Sequence, residues 1–328
     1  MTVSIEMPQR DISIDIIRTL AVLAIINSHM GLLYGRYSLL ATGGAVGDAL
    51  FFFSSGFTLF SCKSQSCWNY YKRRINRIYP AVFSWALVRC LLFDDTYGIV
   101  DIILNGGGWF ISCIMIYYIP FYFFRKHLRK NLHIVMLVYV ATSISLYWLF
   151  CDVERYNMYG ATYYKWIHYF IFMLQGAVSC SYCRNKSLTV TDGRMELFKA
   201  IVCVAFFYSL CLFRYNATWH FVQVLSLVPL MCAIHYIYRL AHAEGLCHFF
   251  TTTRVGIMMN VVGSLCLEIY LVHFVFLTDM CNNLFPLNIP LYLLIVLCAA
   301  YILRCVARLW SQTFKEAPYD WKAVFQWT

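Results

Sequence analysis

Three ionisable side chains share one apolar stretch near the start of the chain, DIIRTLAVLAIINSHM over 15–30. Read as a helix, the run from Arg18 to His29 gives about 16 Å of rise and three turns. Eleven steps of about 100° return to within roughly 20° of the starting face, so Arg18 and His29 point the same way. Asp15, three residues before Arg18, lies near that face. An imidazole suits proton transfer near neutral pH, and a guanidinium suits an anion. Ionisable groups inside an apolar segment are costly and mark function by default. The structural alternative is a snorkelling Arg18 and a His29 bonded to a neighbouring helix.

Two further clusters carry comparable chemistry. NYYKRRINRIYP over 69–80 is the most basic point of the sequence. Arg74 and Arg77 share a helix face at i, i+3, and Arg73 stands beside them. Arg is the preferred fork for phosphate, and Pro80 can open the hydrogen bonding of the following segment. Positive anchoring at a membrane surface explains Lys63 and Lys72 equally well. NVVGSLCLEIYLVHFVF over 260–276 places Glu268 and His273 in an apolar run. Five residues apart, they do not share a face, whereas Tyr270 and His273 do. His168 and Gln175 are polar residues of another apolar segment, expected to point into a bundle. Ser54, Ser55 and Gly56 read as a place where helices approach closely. Trp109 opens an apolar segment after NGGG, where an aromatic belt residue is the ordinary reading. Asp152, Glu154 and four tyrosines in CDVERYNMYGATYYKW suit a sugar or an aromatic belt.

The elements that must position these residues lie in a membrane. With 61% hydrophobic and 13% charged residues, the 328-residue chain is far more apolar than a soluble domain. The expected fold is all-α, a polytopic integral membrane helical bundle of about ten transmembrane helices, forming a single domain over 1–328. The segments fall near 16–34, 44–61, 77–93, 109–124, 132–150, 165–182, 197–213, 218–238, 260–281 and 289–307. No internal repeat is visible. The outer loop before Trp109 is long enough to fold back into the bilayer. The polar start MTVSIEMPQRD lacks a signal-peptide pattern, so the first helix is expected to be retained. YDWKAVFQWT over 319–328 reads as a short amphipathic tail.

Charge supplies the orientation. Twenty of the 26 Lys and Arg fall in loops on the side of the N-terminus, from Arg10 to Lys315 and Lys322. Four (Arg36, Arg155, Lys165 and Arg214) fall on the other side, and Arg18 and Arg89 lie within helices. Both termini are therefore expected in the cytoplasm, with Arg18 at the cytoplasmic end of the first helix. The net charge of +10 reflects those loops and gives no reason to expect nucleic acid. The 15 cysteines are odd in number, and most sit in apolar runs, such as Cys113, Cys203, Cys211, Cys232, Cys266 and Cys298. They read as small buried apolar residues. The CxxC at Cys180 and Cys183 has no partner pair, so no metal is expected.

These residues, taken in order, form a pattern that resembles the membrane acyltransferase-3 family, the bacterial integral-membrane O-acyltransferases. IDIIRTLAVLAIINSH resembles its opening helix with an Arg-x10-His motif, here Arg18 and His29, with Asp15 at the acidic position. GDALFFFSSGF resembles its second-helix signature, and KRRINRIYP its arginine motif, at Arg74 and Arg77. WFISCIMIYY resembles its fourth-helix Trp-Phe segment, and SLCLEIYLVH its late segment with Ser264, Tyr270 and His273. The likeness covers essentially the whole chain. The fourth-helix segment lacks the Ser and Glu of members that carry an extracellular hydrolase-like domain, so the likeness is to stand-alone forms.

What the resemblance implies is acyl transfer from cytoplasmic acyl-CoA, usually acetyl-CoA, to a hydroxyl of a surface glycan or lipid-linked saccharide. The enzyme would then be a multi-pass protein of the inner (cytoplasmic) membrane, in contact with membrane lipid. Arg18, Arg73, Arg74 and Arg77 are expected to hold the donor phosphates. His29, with Asp15 and Arg18, is expected to be catalytic, as general base or as acyl carrier. Trp109, Glu268, Tyr270 and His273 are the candidates for acceptor binding, and Glu268 and His273 also for orienting His29. The sequence assigns no oligomeric state. A transporter or flippase of a sugar-lipid is the alternative from another class. The missing repeat and the one-sided arginine cluster weigh against it. An acyltransferase acting on a small molecule changes only the acceptor.

Overall fold

The computed structural model describes residues 11–62, 66–93, 98–150, 158–160, 163–183, 188–216, 218–313 and 316–327. Asp152, Glu154, Arg10, Lys63, Arg155, Arg184, Lys186 and Lys315 lie outside the described residues. Thirteen helices carry the argument. They are α1 (Ile12–His29), α2 (Gly44–Ser61), α3 (Cys67–Leu92), α4 (Ile99–Asn105), α5 (Gly108–His127), α6 (Leu132–Phe150) and α7 (Phe170–Cys183). They continue as α8 (Arg194–Cys211), α9 (Leu227–Ala241), α10 (Glu244–Thr252), α11 (Arg254–Ser264), α12 (Cys266–Val272) and α13 (Asn288–Thr313). No strand occurs among the described residues; Val190 and Ala243 form one isolated bridge.

Among the described residues, six helical stretches are long and apolar enough to cross a membrane, and up to eight if each of two bent pairs is one span. The chain is thus an all-helical multi-pass membrane protein. The expected segment at 77–93 falls in α3, which starts at Cys67 and takes the basic KRRINR run inside it, so the element is not apolar on average. The expected segment at 165–182 is broken at Tyr169, leaving a 14-residue α7. Two other spans expected to be straight are broken as well. The first helix ends at His29 instead of running to residue 34, so His29 is the last residue of α1 and not a mid-helix residue. Beyond it the chain turns back through Gly35, at φ 52°. Asn27 Nδ2 pins the return by donating to the Leu40 and Thr42 carbonyls, at 2.8 and 2.9 Å. The late segment bends by 66° between α11 and α12. Before Trp109, α4 and α5 meet at 77°, the bend of either a broken span or a re-entrant loop.

Close helix contacts build the core. At Gly56 of α2, an added Cβ would sit 1.9 Å from the Met173 carbonyl oxygen of α7; at Gly176 of α7 it would sit 2.0 Å from that of Phe53. Small residues at this crossing let the two backbones touch, as the SSG run suggests. Gly47 presses α2 onto α1, and Gly263 presses α11 onto α1. Thr19 secures the second contact by donating to the Met259 carbonyl at 3.0 Å. Around this spine Phe52, Phe53, Phe60, Phe170 and Phe172 are fully buried. The cysteines depart from expectation: of the six in apolar runs only Cys113 is buried, while Cys232 and Cys298 are exposed on the outside of the bundle. A thiol is apolar enough to face hydrocarbon as readily as protein.

Candidate active site

The start of α1, the end of α2, the first half of α3 and the end of α13 meet at one end of the bundle around a cavity of about 690 Å³. That volume is within the range of small-molecule sites, about 300–1,000 Å³. Four guanidiniums, of Arg18, Arg77, Arg304 and Arg308, line it together with the carboxylates of Asp11, Asp15 and Glu268. Asp15, expected near the face of Arg18, pairs with it, with Arg18 Nη1 3.3 Å from Asp15 Oδ1. Arg18 Nη2 also donates to Thr58 Oγ1 at 2.8 Å. Its planar fork is therefore set by one residue of its own helix and one of α2.

Arg18 and Arg77 also line an inner space of about 80 Å³, with Arg74, Ser55, Thr58 and Tyr118. Arg74 is buried, with its guanidinium carbon 5.2 Å from the Tyr70 ring centre and 5.9 Å from that of Tyr118. Its Nε has no partner among the described residues. A buried guanidinium with an unused donor favours a negatively charged ligand. The three arginines of the motif are thus split. Arg74, which is buried, and Arg77, which is exposed, line these spaces, whereas Arg73 is exposed and lines neither.

A third space, only about 10 Å³, shares Cys266 and Leu267 with both and is lined also by Val22, Ile25, Phe51, Phe110, Tyr270 and His273. This is a closely packed apolar neck. At its end the His273 ring lies 5.1 Å from the His29 ring, centre to centre, and Phe274 lies 4.4 Å from His29. His273 is fully buried. Its Nδ1 meets two carbonyl oxygens, of Ile269 at 3.2 Å and Tyr270 at 2.9 Å. Carbonyls only accept, so Nδ1 carries the hydrogen and Nε2 presents a lone pair. That Nε2 has no partner among the described residues.

Tyr270 and His273 do share a face, with ring centres 5.9 Å apart. Tyr270 in turn meets Phe110 at 5.3 Å, and Phe110 meets Trp109 at 5.7 Å. Trp109 is therefore joined to the histidine pair through aromatic contacts. Its ring carries the Lys165 ammonium 4.1 Å from its centre and faces Tyr169 at 5.9 Å. His168 and Gln175 are buried as expected, and Gln175 donates to the Met231 carbonyl at 2.9 Å.

Glu268 is the residue whose surroundings the sequence least foretold. It lies in the wall of the large cavity and is gripped by Arg304, with Nε to Oε1 at 3.1 Å and Nη2 to Oε2 at 2.8 Å. Arg304, Arg308 and Thr58 are site residues that the sequence reading missed, since the two arginines count equally well as loop charges. The signal that could have found Arg304 is Glu268 itself, because a carboxylate in an apolar segment requires a cation. Arg304 interrupts the apolar run YILRC.

The sites expected from the resemblance therefore fall into two neighbouring groups. Asp15, Arg18, Arg74, Arg77 and Glu268 line the cavity end, and His29, Tyr270, His273 and Trp109 lie beyond the neck. No curated protein and no solved structure matches the chain. The acyltransferase-3 family model, described as an acyltransferase domain, matches residues 11–307. A match over that much of the sequence means that the chain belongs to the acyltransferase-3 family and is a membrane acyltransferase.

Proposed function

We propose that the protein is an O-acetyltransferase that takes its acyl group from cytoplasmic acetyl-CoA and delivers it to a hydroxyl of a surface glycan or lipid-linked saccharide. The observation that carries this reading is an arginine-lined cavity whose wall residues Cys266 and Leu267 also line the packed space beside His273, which meets His29. An acyl-CoA has phosphates at one end and a thioester at the other. Arg18, Arg74, Arg77 and Arg308 suit the phosphates through charge-assisted bonds. The apolar neck suits the pantetheine arm, and side-chain rotation of Phe51 and Phe110 would widen it.

At the far end, His29 acts as general base. It takes the proton of the acceptor hydroxyl while that oxygen attacks the thioester carbonyl carbon. The tetrahedral intermediate collapses by breaking the carbon–sulfur bond, and the thiolate leaves with the proton. His273, whose ring packs 5.1 Å from that of His29, orients it by contact. Trp109 and Tyr270 suit the face of a sugar ring, since aromatic side chains bind one apolar face and leave polar edges free.

The same reading places the protein in the inner membrane with ten crossings and both termini in the cytoplasm. The two further crossings are α3 and the stretch from Lys165 to Cys183. At 26 residues α3 is about 39 Å long, more than the roughly 30 Å of a hydrocarbon core. The cavity end then faces the cytoplasm, where the loop charges put it.

Deleting the gene and restoring it with the wild type or with His29→Ala tests the proposal. Surface glycans are compared by mass spectrometry, and membrane insertion of the variant is checked by immunoblot. The expected result is loss of one acetyl mass from a glycan, restored by the wild type alone. Wild-type acetylation by an inserted His29→Ala protein would reject the mechanism. No mass change in any glycan would reject the acceptor.

A further inference from the structure

The break between α11 and α12 leaves a polar backbone group to be satisfied inside the bundle. In an unbroken helix the Ser264 carbonyl would accept from the amide four residues on. Here it accepts from Arg304 Nη2, and Arg304 Nη1 also donates to Ser264 Oγ at 3.1 Å. The other bonds of the same guanidinium hold both carboxylate oxygens of Glu268. One side chain of α13 thus grips the last residue of α11 and the third residue of α12. The Arg304 and Glu268 side chains are 10% and 9% exposed, so solvent screens this pair little. On the next turn α12 presents Tyr270, and beyond it His273 meets His29. The helix is held at both ends by the same neighbour, since Tyr292 of α13 donates to the His273 carbonyl at 3.0 Å.

We propose that Arg304 is a positioning residue for acyl transfer. By clamping Ser264 and Glu268 it sets the angle of α12 and so holds His273 against His29. Glu268 is the anchor of that clamp and not a ligand for the acceptor. Its two oxygens are occupied, and it stands on the cavity side of the neck. The clamp fixes the register in which the thioester meets the histidines, so weakening it lowers turnover more than donor binding. This rests on the assignment of the reaction to the His29–His273 pair.

The test compares Arg304→Lys, Glu268→Gln and their double variant in membranes containing the full-length protein. Turnover is read as transfer of labelled acetyl from saturating acetyl-CoA into the membrane glycan fraction. Donor affinity is read as the Kd of CoA for the purified protein. Lysine keeps the charge but cannot bridge these four acceptor atoms with a planar fork. Arg304→Lys should lower turnover at least tenfold and leave the CoA Kd within twofold. Glu268→Gln should do the same, and the double variant should be no worse than the poorer single, because the pair acts as a unit. A rise in Kd that matches the loss of turnover would overturn the proposal and make Arg304 a donor ligand. Unchanged turnover, or losses that multiply in the double variant, would overturn it too. Should Arg304→Lys not accumulate in the membrane, Ser264→Ala and Glu268→Gln carry the same comparison.

His29→Ala is run in parallel to separate the two readings. If it stays active while Arg304→Lys is slow, the His29 mechanism falls and with it the role of the clamp in holding His273 against His29, leaving only an effect of Arg304 on turnover. If His29→Ala is inactive and Arg304→Lys is normal, only the clamp falls.

Discussion

Replacing Gly56 by alanine probes the contact on which the bundle turns. The new Cβ would lie 1.9 Å from the Met173 carbonyl oxygen and 2.7 Å from its carbonyl carbon. An ordinary contact begins near 3.4 Å, so the two helices must part by about 1.5 Å. No rotamer change relieves this, because the obstacle is helical backbone. Nor can α2 retreat toward α1, since Gly47 already sets a Cβ position 2.7 Å from the Ala21 carbonyl. Overpacking typically costs about 1–3 kcal/mol, and this site belongs at the upper end. The apparent Tm of the detergent-solubilised protein should fall by roughly 5 °C or more. Thr58 lies two residues on, and a shift of that size breaks its 2.8 Å bond with Arg18. Misplacement on this scale lowers turnover by about 10²-fold. Gly176→Ala attacks the same crossing from the other side, 2.0 Å from the Phe53 carbonyl oxygen. One separation of the helices relieves both clashes, so the double variant should lose clearly less stability than the sum of the singles. An unchanged Tm for Gly56→Ala, or strictly additive losses, would refute the crossing.

Other perturbations test the walls of the site. Arg77→Gln should raise the KM for acetyl-CoA about tenfold, as removal of one charged hydrogen bond does, whereas Arg73→Gln should change it less than twofold. Equal effects of the two would undo the assignment of the donor to the cavity. Arg125 donates to the Leu59 carbonyl at 2.9 Å and the Cys62 carbonyl at 2.6 Å, closing the end of α2. Arg125→Ala should destabilise the protein by about 1–2 kcal/mol, read as a lower Tm, with the CoA Kd unchanged. A fall in affinity without a fall in Tm would place Arg125 among the donor ligands instead.

Local spacing made part of this site legible. The pairing of Asp15 with Arg18 and the shared face of Tyr270 and His273 follow from helix geometry over three residues. Gly56 was recognisable as a close contact because small residues in apolar segments have few other uses. The ordered motifs carried the family, and the domain match bears that out. The breaks at Met30 and Leu265 were not legible, because an apolar segment reads the same whether straight or bent. Arg73, Arg74 and Arg77 looked equivalent, although only Arg74 is buried, and of the two exposed arginines only Arg77 lines the cavity.

The sequence by itself determined that the chain is a helical membrane protein of the acyltransferase-3 family, with an arginine and a histidine aligned on its first helix. Composition and i, i+3 spacing are local properties, and they survive any arrangement of the helices. Only the tertiary structure decided that Glu268 belongs to Arg304, 36 residues away, and that His29 meets His273. A buried charge requires a partner, and the sequence announces that need. Which of many distant cations meets it depends on how the helices bend and cross, and that is set by packing.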